Sequence, residues 1–132
     1  MTNENPFQAL AGQKYLNLES FRKSGEGVRT PVWFAADPPG DATARKLYIY
    51  STGNSGKVKR IRNNPKVRVA PCTMRGDVLG EWVDARAEIL SGEEAGKGMQ
   101  LLNRKYMPWK QILGFFAMFR PQPRAVIAIR PV

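Results

Sequence analysis

The chain has 132 residues, a length that fits one domain. Apolar residues make up 42% and charged residues 24%, a globular composition; one cysteine and no histidine exclude a disulfide scaffold, a cysteine-cluster metal site and every mechanism that turns on an imidazole. Twenty-one Lys and Arg oppose eleven Asp and Glu, a net charge of +10, which favours an anionic partner: nucleic acid, acidic lipid, or a phosphorylated or polycarboxylate small molecule.

Residues 1–10 read as an N-terminal tail ahead of a single domain over 11–132, with residues 7–14 able to form a short helix. Met1-Thr2-Asn3-Glu4-Asn5-Pro6 lacks the basic start and apolar core of a signal peptide. No apolar run reaches the roughly 18 residues of a membrane span, so the expected location is the cytoplasm. Tyr15 to Lys23 alternates apolar and polar and predicts a strand that breaks at Ser24-Gly25-Glu26-Gly27. Val28 to Ala36 is a second strand. Pro31 inside it has no N–H to give, which predicts an edge or a bulge. Asp37-Pro38-Pro39-Gly40-Asp41 opens a long loop. Lys46 to Ser51 is the third strand, with Leu47 and Ile49 on one face and Tyr48 and Tyr50 on the other. Lys66 to Cys72, Glu81 to Leu90 and Ala125 to Val132 complete six.

Two helices interrupt the strands. Ser55 can cap a short one from Gly56 to Asn63, ended by Asn64-Pro65. Ser91-Gly92-Glu93-Glu94 reads as a capping box, and Ala95, Met99, Leu102 and Tyr106 recur at helical spacing until Pro108. Most connections are turns rather than helical crossovers. The expected fold is therefore mainly β with short helices, a small antiparallel barrel.

The short helix carries the first chemistry. A helix N-terminus bears partial positive charge and normally attracts acidic residues. Here Lys57 occupies the first turn, with Lys59 and Arg60 behind it. Residues 57–68 hold six basic side chains and no acidic one. Thr52-Gly53-Asn54-Ser55-Gly56 is small enough to let backbone approach a ligand. The residues describe either a phosphate cradle or a solvated basic helix. Val58 stands where a nucleotide-binding P-loop needs Ser or Thr, so that class is excluded.

Ser55-Gly56-Lys57, Asn63-Asn64-Pro65 and Val67 resemble the phosphate-binding stretch of the pyridoxamine 5'-phosphate oxidase-like split β-barrel flavin proteins. Pro31-Val32-Trp33-Phe34, Leu47-Tyr48-Ile49-Tyr50, Ser55 to Arg60 and Val69-Ala70-Pro71-Cys72 together resemble a subgroup that uses the deazaflavin coenzyme F420. The resemblance covers residues 12–132. It implies a six-stranded antiparallel split barrel that forms a homodimer, with F420, or alternatively FMN, in a groove at the dimer interface. It also implies a cofactor site built from Arg29, Thr30, Pro31 and Val32 on one strand, Tyr50 and Ser51 at the end of the next, and Ser55 and Lys57 at the helix. Three positions depart from the flavin oxidases: Phe34 replaces a lysine, Gly56 an arginine, and Gly80 stands near a glutamine that contacts the flavin. Lys59 or Arg60 can restore the charge missing at 56.

The implied activity is hydride transfer from reduced F420 to an unsaturated, planar or apolar substrate. That chemistry belongs to the cofactor and needs no histidine. Tyr50 and Tyr106 are available hydroxyls, but no catalytic side chain is assigned. An FMN oxidase, or a flavin or haem carrier on the same barrel, is the alternative. A nucleic-acid-binding barrel is disfavoured, because the basic run 57–68 has no aromatic residue for base stacking. Residues 109–119 hold eight apolar side chains in eleven. They suit a dimer interface or core packing, a planar-substrate pocket, or a weak membrane-surface contact. Cys72 reads as a buried, inert thiol.

Overall fold

The computed structural model describes residues 6–37, 45–52, 55–106 and 124–132. A 3-10 turn at Gln8–Leu10 precedes β1 (Tyr15–Phe21), β2 (Gly27–Trp33), β3 (Ala35–Asp37) and β4 (Lys46–Thr52). Helix α1 (Gly56–Asn63), β5 (Lys66–Cys72), β6 (Val83–Leu90), α2 (Gly92–Tyr106) and β7 (Arg124–Pro131) follow. The strands form one antiparallel sheet in the order β2-β1-β5-β6-β7-β4-β3. Seven strands stand where six were expected. The run Val28 to Ala36 is broken at Phe34, so that β2 pairs with β1 while β3 pairs with β4. One stretch of chain thereby serves both edges of the sheet, which curls it into a half-barrel. Pro31 sits on the edge strand β2, where a missing N–H costs no ladder bond.

Alternation sorts the side chains into two layers. Leu16, Leu18, Leu47, Ile49, Val67, Val69, Ile127 and Ile129 point into the barrel, where α1 closes one end with Val58 and Ile61. On the outside, Tyr48, Val126 and Ala128 pack under Leu102 of α2. Gly98 permits that contact: a Cβ there would lie 2.7 Å from both Tyr48 and Val126. Helix α2 enters through Gly92 at φ +61, a conformation glycine adopts without steric cost. Phe7 and Leu10, on the segment read as a tail, are each 2% exposed and join the barrel core. The apolar stretch 109–119, with Trp109, and the loop 38–44 lie outside the described residues. No helix among the described residues is long and apolar enough to cross a membrane.

The outer face of β1 carries a buried acid. Glu19, 5% exposed, lies directly opposite Arg29 on β2 and Arg68 on β5. Arg29 Nε donates to Glu19 Oε2 at 2.9 Å, and Arg68 Nε to Oε1 at 2.6 Å. Trp82 lies against both guanidinium groups, 4.6 Å from Arg29 and 5.1 Å from Arg68. Asp84, opposite Arg68 on β6, extends the row to four strands of alternating sign.

Candidate functional site

Helix α1 begins where β4 ends, and its capping chemistry builds the site. Ser55 Oγ accepts from the Val58 backbone N–H at 3.3 Å, as the sequence predicts for an N-cap. Ser51, the last inward-facing residue of β4, donates its hydroxyl to Ser55 Oγ at 2.8 Å. Lys57 Nζ reaches Ser51 Oγ at 3.5 Å. Arg60, one turn on, donates from Nε to Ser20 Oγ of β1 at 2.7 Å. Its guanidinium also folds back over the helix start: a Cβ on Gly56 would lie 2.9 Å from Arg60 Nη1.

Electrostatically this cluster is unbalanced. The first turn of α1 holds no acidic residue, and among the described residues neither Lys57 nor Arg60 makes an ion pair. Burial and the neighbouring Arg60 push the Lys57 amine below the usual lysine range. Burial and the charge of Arg22 likewise lower Arg60. Half-buried cations side by side at the positive end of a helix dipole are costly alone and well matched to an anion. A phosphate fits: it would receive backbone N–H groups, a serine hydroxyl, an ammonium and a guanidinium.

The ten residues singled out from the sequence do not all meet here. Ser51, Ser55, Lys57 and Arg60 do. Lys59 is exposed on α1. Tyr50 points to the opposite face of β4 and packs against the cluster beneath α2. Val32 packs against the barrel core, and the inward Thr30 hydroxyl is buried with no partner among the described residues. Arg29 and the exposed Pro31 face outward, Arg29 engaged by Glu19.

Two interacting residues were not singled out from the sequence, Ser20 at this cluster and Lys105 away from it. Ser20 breaks the inward apolar series Leu16, Leu18 on β1, and a polar residue at an inward position was the available signal. Lys105 lies 92 residues from its partner, so nothing local marked it: Nζ donates to the Gln13 carbonyl at 2.6 Å and lies 3.8 Å from the centre of the Phe34 ring.

The departures also acquire a structural setting. Phe34 is 1% exposed in the core, so position 34 offers no polar contact, and the amine beside it comes from α2 instead. Gly56 makes room for Arg60. Gly80 has no side chain, and a Cβ there would sit 3.0 Å from Pro71 Cγ. Cys72 is 2% exposed, and burial together with Asp77 raises its thiol above the ordinary range, consistent with an inert role.

Over residues 4–132 the sequence fits the family model described as pyridoxamine 5'-phosphate oxidase. Solved structures share the fold at low identity. An F420 reductase is 20% identical with a TM-score of 0.59, covering 99% of this chain and 96% of its own. The haem storage protein HutZ from Vibrio cholerae is 12% identical with a TM-score of 0.68, covering 92% and 83%. A candidate pyridoxamine 5'-phosphate oxidase from Listeria innocua is 17% identical with a TM-score of 0.61, covering 93% and 87%. No curated protein matches the sequence. The half-barrel, with helices closing one end and covering one outer face, and a family match spanning nearly every residue lead to one conclusion: the chain belongs to the pyridoxamine 5'-phosphate oxidase family.

Proposed function

We propose that this protein is an oxidoreductase that uses a phosphorylated flavin-type cofactor, F420 in preference to FMN, to reduce an unsaturated, planar or apolar organic substrate. The observation that carries the reading is the unneutralised pair Lys57 and Arg60 at the start of α1, with Arg60 filling the space left by Gly56. When bound, the cofactor supplies the hydride chemistry. The chain's part is to bind and orient. Ser55, Lys57, Arg60 and the free N–H groups of α1 would hold the phosphate. The exposed Lys59 and Arg62 lie along the same helix for further anionic groups of a longer cofactor tail.

F420 is favoured over FMN by two observations taken together. The anion cradle is present, whereas the polar contacts expected at 34 and 80 are replaced by a buried Phe34 and by Gly80. A structural neighbour of nearly equal length is an F420 reductase. The haem-carrier alternative, supported by the likeness to HutZ, has no imidazole in this chain and one buried thiol, which leaves only a tyrosine or methionine to ligate iron. A homodimer belongs to this reading. Met74, Val78 and Leu79 are exposed on the β5–β6 connection, and a second copy is the occupant that would cover them.

The test is turnover. Reduced F420 is mixed with the protein and a panel of enones and quinones, and return of the oxidised cofactor is followed by absorbance. Oxidation that slows at least tenfold in Lys57→Ala supports the reading. Binding with no turnover across the panel replaces it with a carrier.

A further inference from the structure

A second cationic arrangement lies at the other end of α1, on the outer face of the sheet. The β5–β6 register places Lys66 directly opposite Arg86, and the β6–β7 register places Arg86 directly opposite Arg130. Cross-strand partners share a face, so three cations stand in a row on neighbouring strands, roughly 10 Å from end to end. All three are exposed, and among the described residues none makes an ion pair.

The adjacent row shows what this sheet does when charges serve only the fold. Two residues along, Asp84, Arg68, Glu19 and Arg29 alternate in sign across four strands, with ion pairs of 2.6 and 2.9 Å. In the Lys66–Arg86–Arg130 row the alternation is absent, and like charges directly opposite one another repel. Two members of the row also line a concavity, and Lys66 stands beside it. Arg86 and Arg130 line a groove of about 450 Å³ walled by Pro65 and Pro131. Ala87 N–H donates to the Pro65 carbonyl at 2.8 Å, which fastens that wall to the strand beside it. The one carboxylate lining the groove is Glu88, which is paired in register with Ala128 and not with a cation.

We propose that this groove is a binding site for a small oligoanion, a molecule presenting two or three neighbouring phosphate or carboxylate groups. Two guanidinium forks offer paired N–H donors that match the geometry of either oxyanion, and Lys66 adds a third charge at the end of the row. Pro65 and Pro131 wall the groove, and its one lining carboxylate, Glu88, is outnumbered by two guanidinium groups. The ligand relieves the repulsion between Arg86 and Arg130, so affinity and the instability of the unliganded sheet have the same source.

The experiment uses the full chain and two probes, inorganic tripolyphosphate and citrate, titrated calorimetrically at low and moderate salt. Because the α1 cradle also attracts phosphate, the measurement is repeated in Lys57→Ala. A salt-sensitive site is expected to persist there and to weaken about tenfold or more when Arg86→Gln or Arg130→Gln is added. The tighter of the two probes names the phosphate or the carboxylate as the natural group. Without ligand, Arg86→Gln should melt at a higher temperature than the parent, an outcome that misfolding cannot produce. Loss of all binding in Lys57→Ala, unchanged binding in both arginine variants, a lower melting temperature for unliganded Arg86→Gln, or tighter binding of a single-stranded oligonucleotide than of either probe would each overturn the proposal.

Discussion

Replacing Glu19 by Gln removes one negative charge from the centre of the outer row and leaves its shape intact. Two charge-assisted bonds are weakened, to Arg68 and to Arg29. A hydrogen bond to a charged group is worth about 1.5–3 kcal/mol and a neutral one about 1 kcal/mol, so each loses about 1 kcal/mol. The amide also presents an N–H₂ donor to one of two arginine donors, which leaves that contact unmade. Solvent screens part of this, because the Arg29 side chain is 52% exposed. A net loss of about 2 kcal/mol at neutral pH follows. With a urea slope of about 1–3 kcal/mol/M, the unfolding midpoint should fall by about 1 M.

The pH dependence of the same pair of proteins is the sharper test. Burial alone would raise the Glu19 carboxyl, but the bonds and charges of Arg68 and Arg29 outweigh it and hold the group below its ordinary value. A depressed carboxyl stabilises the fold above its unfolded value, and that contribution disappears as pH falls through the folded value. Urea unfolding from pH 7 to pH 3 should therefore bring the wild type down towards Glu19→Gln. A constant gap between the two proteins across that range would refute the ion-pair account. So would coincident midpoints at pH 7, which would show a screened surface contact.

Other perturbations have calculable directions. Gly98→Ala drives a methyl into Tyr48 and Val126 at 2.7 Å and should cost about 1–3 kcal/mol by thermal or urea unfolding; an unchanged midpoint would mean α2 is free to shift outward. Ile127→Ala, fully buried in the barrel, should cost about 2–5 kcal/mol in the same assay. Burial lowers Lys105 to about 8, so the unfolded chain binds more protons than the folded one between there and the ordinary lysine value. Stability should rise with pH across that window, and Lys105→Met should flatten the rise.

What the sequence made legible follows from what is local. Alternation on β4 put Leu47 and Ile49 on one face, and both are buried in the barrel core. Ser55 announced α1 because a cap acts within three residues. The break at Phe34 was not legible, since nothing in Val28 to Ala36 marks the residue at which the partner strand changes from β1 to β4. The site followed the same division. Lys57 and Ser55 stood out as neighbours at a helix start, whereas Ser20 is 40 residues from Arg60 and only the closing of the barrel brings them together. Arg29 was a natural candidate for an anion until the register set it against Glu19.

In the proposed function the start of α1 anchors the phosphate of a deazaflavin. The most direct measurement is a parallel titration of wild type and Lys57→Ala with oxidised F420 and with FMN, by fluorescence quenching at low and moderate salt. F420 should bind more tightly than FMN, added salt should weaken it, and Lys57→Ala should lower its affinity by about tenfold or more, equivalent to about 1.4 kcal/mol. Binding of neither cofactor by the wild type, or equal affinity in the two proteins, would contradict that anchoring.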